Sequence, residues 1–350
     1  PDQTLVGLHL GPSPMASTSL SFSPVQALLG GLFLGTGSGL LMLFSGKIAG
    51  NSGALKSVVV GEFDVSKTSF LAGLLAAGAV FARIMPSAFE AAPLPTLGLF
   101  AGGVATGLGT SLANGCTSGH GLCGFSRLSP RSFVAVPIFM GFAAVTATVK
   151  SGVYSVGPVV PVVPPVDGLI PLAAGLAAAL LAALVPVALF TRQGSHVREA
   201  AVGGWVGLAF GMGLAMGGMT RASVIGSALS PAQPNPTLWV LFVTGLLTTF
   251  TIYRVAQHYH KMPQAIAAAG GRIDARLMVG SAIFGVGWGA TGFCPGPLLV
   301  NLGATPVEPA ILLMLAGVVV GILSSNVYGD ALDLVMRVLF DRPAQGAVKS

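Results

Sequence analysis

Charge is what this sequence most lacks. Asp, Glu, Lys and Arg make up 8% of its 350 residues, against about a quarter in soluble domains, and that excludes a water-exposed globular surface. Aromatic side chains are scarce too, at 7%, which excludes the interfacial girdles of a transmembrane β-barrel. Cysteine occurs three times, an odd number that cannot complete a disulfide framework. Carboxylates are missing from both stretches that carry those cysteines, residues 114–132 and 287–296. Glu62, Asp64, Glu90, Asp167 and Glu199 fall in connections between apolar runs, so the intramembrane acid of a proton-coupled carrier has no obvious candidate.

What is present is apolar and small. Hydrophobic residues reach 53%, glycine occurs fifty times and the mean hydropathy is +0.83. The fold class expected is an all-α polytopic membrane protein whose helices pack through small residues. The chain is basic, with a net charge of +6 and a pI near 9.6. Its Lys and Arg are scattered singly at the ends of apolar runs, so they read as topology signals and not as a nucleic-acid patch. Nine apolar runs approach the roughly 20 residues needed to span a bilayer: residues 25–44, 69–84, 96–113, 133–149, 169–190, 201–217, 238–253, 277–289 and 309–324. They divide the chain into a flexible Pro/Ser leader (1–23) that reads as processed or derived from untranslated sequence and is left out of the fold, a first transport repeat (24–150), and a linker with a central helix (151–198). A second transport repeat (199–342) and a tail (343–350) follow, with residues 330–340 expected at the membrane interface.

The two blocks resemble each other. GTGSGLLMLFSGKIAG at 35–50 parallels GMGLAMGGMTRASVIG at 211–226, and LGTSLANGCTSG at 108–119 parallels VGWGATGFCPGP at 286–297. Internal similarity of this kind marks transporter architecture. Alternating the nine spans leaves only Arg83, Lys150 and Arg221 on the side of the N-terminus and the other fourteen of the seventeen basic residues opposite. The basic side is expected inside, with the N-terminus outside and the C-terminus inside. A five-span offset inverts the second repeat, so four dipping, broken segments approach the midplane from both faces as an hourglass.

The breaks hold the candidate chemistry. Cys116 and Cys123 in the first, and Cys294 in the second, are soft, polarisable thiols that suit a sulfur-containing solute, although a cysteine at such a place can also be a small packing residue. Asn114, Thr117, Ser118 and the amides of Gly115 and Gly119 supply donors without fixed negative charge, and a glycine-rich turn opening a helix presents N–H groups to an anion. Lys47, Arg127 and Arg221 stand near the expected mouths, where a basic rim concentrates anions. Phe293, Pro295 and Gly296 flank Cys294 and complete the set. His120 lies between the first two cysteines, either as a ligand of the solute or as a partner for a carbonyl freed by the broken helix. A metal site would need more ligands than these residues bring together. The glycine-rich helix starts lack the strand and acid of a dinucleotide fingerprint, and no cofactor motif accompanies the thiols, which weighs against a membrane thiol oxidoreductase.

The segments NGCTSGHGLCGFSRLSPRS (114–132) and GWGATGFCPGP (287–297) resemble the hallmarks of the first and second halves of the YeeE/YedE-type sulfur-transport domain family, which includes thiosulfate transporters. The resemblance covers residues 25 to about 340 and implies both halves fused in one chain. It further implies nine spans and cysteine thiols that hand thiosulfate along by hydrogen bonds, with Cys116 and Cys294 at the matching positions. Thiosulfate transporters of the family carry a further cysteine in the break after the first helix, where SGKIAG at 45–50 has none; Cys123 is an additional thiol. The function expected is transport of a small sulfur oxyanion across the lipid bilayer, without catalysis, cofactor or nucleic acid, with a membrane-complex partner or a sulfur-carrier protein on the inside. The alternative is a non-transporting structural subunit of a larger membrane complex.

Overall fold

The computed structural model describes residues 23–90, 96–153, 166–192, 194–231, 235–260 and 273–340. The leader up to residue 22, residues 154–165 of the linker and the tail beyond 340 lie outside the described residues.

Helix α1 (Pro24–Ser45) opens with proline in its first turn, where the missing N–H costs nothing, and stops at Gly46, whose N–H returns to the Met42 carbonyl. A short α2 (Asn51–Val59) precedes α3 (Val65–Ile84), whose first turn is capped by the Asp64 carboxylate accepting the Lys67 amide at 2.9 Å. Then come α4 (Thr96–Ala113), a π-helix (Thr117–Gly124), α5 (Pro130–Val153) and α6 (Val166–Phe190). The second block repeats the order with α7 (His196–Met216), α8 (Ala222–Leu229), α9 (Thr237–His260), α10 (Ala275–Thr291), α11 (Pro295–Ala304) and α12 (Pro309–Phe340).

Among the described residues seven helices are long and apolar enough to cross a membrane, counting α10 with α11 as one, and α4 and α6 are shorter apolar helices. Together these account for the nine expected runs. All four expected breaks are present, and each pivots on a residue of positive φ: Gly46 (63°), Asn114 (55°), Gly218 (80°) and Gly292 (75°). Glycine adopts this conformation freely, and Asn is among the few other residues that tolerate it. Residues 330–340 form the last three turns of α12, which continues through them without a break. Glu199 sits in the first turn of α7 and not in a connection.

Packing follows a two-fold pattern. Helix α1 packs on α9 as α7 packs on α3, and α4 packs on α12 as α10 packs on α5. Exchanging the two blocks maps these pairs onto themselves. The equivalent helices α1 and α7 meet at glycines, where a Cβ on either Gly30 or Gly213 would lie 2.7 Å from the other's carbonyl oxygen, so the backbones touch through small residues. Ion pairs respect the expected sides. Lys47–Asp64 (2.9 Å), Lys47–Glu199 (3.3 Å), Arg131–Asp274 (4.0 Å) and Arg276–Asp330 (2.8 Å) each join residues of the basic side. On the opposite side Glu90 accepts the Ser223 amide and hydroxyl at 2.7 and 2.6 Å, and Lys150 reaches the Ala290 carbonyl at 2.8 Å.

Candidate functional site

The re-entrant segments bring three helix starts to one place. Cys116 is the N-cap of the π-helix, Cys294 is the N-cap of α11, and Asn51 is the first residue of α2. The positive ends of the helices converge without a charged side chain, although in α11 the prolines at 295 and 297 leave Gly296 as the one N–H before Leu298, whose amide bonds the Cys294 carbonyl. Thr117 Oγ1 lies 3.5 Å from Cys294 Sγ, which joins the two motif breaks directly. Ser118 Oγ lies 3.3 Å from Cys116 Sγ and accepts the Asn51 amide at 3.2 Å. All three thiols are free and buried.

Two cavities lie on either side of this junction. The first, about 180 Å³, is reached by Thr117, Ser118, Asn51 and Cys294 on one wall and is otherwise lined by apolar side chains of α1, α5, α7, α9 and α10, including Phe139, Phe210, Phe242 and Trp288. The second, about 510 Å³, is a polar vestibule on the basic side, lined by Lys47, Lys67, Arg127, Arg131, Asn114, Gly115, Gly119 and His120. Neighbouring residues of one segment face opposite ways: Asn51 borders the apolar cavity and Ser52 the vestibule, as Ser118 and Gly119 do. The segments that follow α1 and α4 therefore stand between the two cavities, and Cys116 lines neither.

The vestibule is basic but not simply a rim of free charge. Lys47 is held by Asp64 and Glu199. Burial alone would raise the Asp64 carboxyl, but the Lys47 hydrogen bond and the Lys67 amide outweigh it and hold the group below its ordinary range. Arg127 donates from Nε to the Cys123 carbonyl at 3.2 Å, which anchors it to the end of the π-helix.

Several residues singled out in the sequence are placed elsewhere than expected. His120 spends both ring nitrogens on protein: Nε2 lies 3.1 Å from the carbonyl of Ala113, the last residue of α4, and Nδ1 lies 3.0 Å from Ser132 Oγ. The neutral tautomer that donates from Nε2 satisfies both contacts, so the carbonyl-partner role is the one the geometry supports. The ring rests on Gly115, where a Cβ would meet it at about 2.5 Å. Cys123 borders neither cavity. Its thiol donates to the Ala49 carbonyl at 3.5 Å, with Tyr253 and Ser38 beside it. Arg221 lies at the start of α8 facing Glu90, away from both cavities. Phe293 is fully buried, with its amide on Thr291 Oγ1 at 3.1 Å, and shapes the turn before Cys294. Pro295 opens α11, and Gly296 leaves room for the Asn51 side chain, which would collide with any Cβ there.

Asn51 and Trp288 border the apolar cavity, yet the sequence reading passed over both. Asn51 directly follows the glycine-rich stretch 35–50, and a neutral polar residue opening a re-entrant helix was the signal available. Trp288 stands inside the second motif itself.

Comparison with known proteins supplies the kinship. Residues 200–331 match a family of unknown function, DUF6691. A "Probable transporter" of Xylella fastidiosa strain 9a5c is 42% identical over 130 residues, which are 36% of this chain and 94% of that protein. A "Probable transporter" of strain Temecula1 is 41% identical over 130 residues with the same shares. A further "Probable transporter" of strain 9a5c is 34% identical over 127 residues, 33% of this chain and 83% of the relative. Each relative thus corresponds to about a third of this chain while being matched over most of its own length. The polytopic helical fold and this degree of identity agree, and the chain belongs to the family of these probable transporters.

Proposed function

We propose that the protein transports a small sulfur-containing anion, thiosulfate being the first candidate, through a path that crosses the Cys116–Thr117–Cys294 junction. The observation that carries this reading is the 3.5 Å approach of Thr117 Oγ1 to Cys294 Sγ, which unites the two motif breaks at a place lined by thiols, hydroxyls and helix starts. A soft sulfur end suits the thiols and the apolar wall, and oxyanion atoms suit the hydroxyls and free amides. Among the described residues no aspartate or glutamate lines either cavity, and the two carboxylates nearest the vestibule, Asp64 and Glu199, are paired with Lys47.

The same reading makes the chain a YeeE/YedE-type sulfur transporter with both halves fused, the repeats being 24–150 and 199–342 around the central segment 151–198. The vestibule, on the basic side, then opens inside, where a sulfur-carrier protein could collect the solute. The test is uptake of ³⁵S-thiosulfate by cells lacking their own thiosulfate importers. Uptake that depends on the chain and is outcompeted by unlabelled thiosulfate supports the reading; uptake no greater than in cells with an empty vector overturns it.

A further inference from the structure

Two polar groups in the wall of the apolar cavity have no partner in the protein. Asn51 is 1% exposed and its Oδ1 is unbonded; Trp288 is 2% exposed and its indole Nε1 is unbonded. Both residues border the same cavity as Thr117 and Cys294. Buried polar groups are almost always hydrogen-bonded, and each exception asks for an explanation such as a ligand. Neither residue is loosely placed. The indole stacks on Phe284 at 6.0 Å between ring centres and meets Phe139 edge-on at 6.1 Å, while Asn51 is fixed through its backbone to Ser118 and packs against Gly296.

We infer that Asn51 and Trp288 form, with Thr117 and Cys294, a charge-neutral subsite for the oxygen end of the transported anion. This rests on the transport reading above and deepens it. The indole N–H is a donor only. The carboxamide carries a donor and an acceptor on opposite edges, so a half-turn about its last bond presents NH₂ to the cavity and turns the carbonyl toward Gly296, the one residue of Pro295–Pro297 that has an N–H. In that orientation the subsite offers the anion an amide, an indole, a hydroxyl and a thiol, and no fixed charge.

Such a site selects by hydration. Four neutral donors in an otherwise apolar wall replace only part of a hydration shell, and the polar atoms left unmatched are penalised. An oxyanion with one soft, apolar-compatible sulfur end leaves fewer atoms unmatched than one with oxygen on every side. The subsite therefore takes thiosulfate and refuses sulfate.

The experiment is calorimetric titration of the full chain in lipid nanodiscs with sodium thiosulfate and with sodium sulfate, alongside thermal melting in both salts. Trp288→Phe keeps the stacked ring and loses the N–H; Asn51→Leu keeps the volume and loses the amide. Each is expected to weaken thiosulfate binding by about 10-fold, in line with a hydrogen bond to a charged group. The stabilisation that thiosulfate adds to the melting temperature should shrink in both variants, whereas a purely structural side chain would lower the melting temperature equally with and without thiosulfate. Wild-type protein that binds no thiosulfate overturns the transport reading and this inference with it. Wild-type binding that both substitutions leave unchanged, or sulfate binding as tight as thiosulfate binding, overturns the subsite alone.

Discussion

The Ser118 hydroxyl accepts the Asn51 amide at 3.2 Å, and this contact fastens the re-entrant start of α2 to the π-helix that follows α4. The same oxygen lies 3.3 Å from the Cys116 thiol, so one small side chain ties together both dipping segments of the first repeat and the cysteine between them. Asn51 and Ser118 both line the apolar cavity, while their neighbours Ser52 and Gly119 line the vestibule.

Ser118→Ala should loosen this contact between the two segments. The Asn51 amide loses its acceptor, at a cost of about 1–3 kcal/mol for a buried donor. The melting temperature should fall, and Cys116 should react with a membrane-permeant maleimide several-fold faster than in the wild type. Unchanged reactivity would mean that the thiol is screened by something other than this hydrogen bond.

Cys116→Ala and Cys294→Ala test sulfur against space filling. A packing cysteine accepts alanine at least as well as serine, because a buried hydroxyl needs a partner. Thiols that touch the solute should instead lose several-fold in apparent affinity in both the Ala and Ser variants, on the scale of about 1 kcal/mol for one weak hydrogen bond. Thr117→Val, which removes the hydroxyl beside Cys294, should act in the same direction. Cys123→Ala should be milder, since its thiol is turned to the Ala49 carbonyl. Thiosulfate uptake is the measurement, with the amount of protein in the membrane as control; wild-type kinetics in both alanine variants would remove the thiols from the path.

His120→Ala should act on stability and leave affinity alone. It abandons the Ala113 carbonyl at the end of α4 and the Ser132 hydroxyl, and a buried group left unpaired costs about 1–3 kcal/mol. Thermal melting should report the loss, while the protein that remains folded keeps its thiosulfate affinity. An affinity loss without a drop in melting temperature would return His120 to the role of a ligand.

Sidedness can be read with single cysteines placed in a Cys-free chain. Glu62 lies between α1 and α3, Glu308 lies between α11 and α12, and both are exposed. In the nine-span order Glu62→Cys is reached by an impermeant maleimide only from inside and Glu308→Cys only from outside. Labelling of both from one face would remove the inversion of the repeats.

Much of this was determined by the sequence alone, because solvent in a membrane leaves the chain few options. Backbone groups in lipid must be satisfied within helices, so apolar runs near the spanning length declared the polytopic all-α fold, and the glycine-rich polar stretches between them declared where those helices break. The positive φ angles at Gly46, Asn114, Gly218 and Gly292 are the local expression of that pattern. What only the tertiary structure decided is which side of each break faces which space. A re-entrant segment has no lipid-facing periodicity to orient it, and the exchange of α1 with α7 and α4 with α10 across the two-fold brings together residues far apart in the chain. That is why Thr117 meets Cys294, why Cys123 turns to the wall at Ala49, why His120 is occupied by a carbonyl, and why Asn51 and Trp288, unremarkable in sequence, end up with their polar atoms unpaired in one apolar cavity.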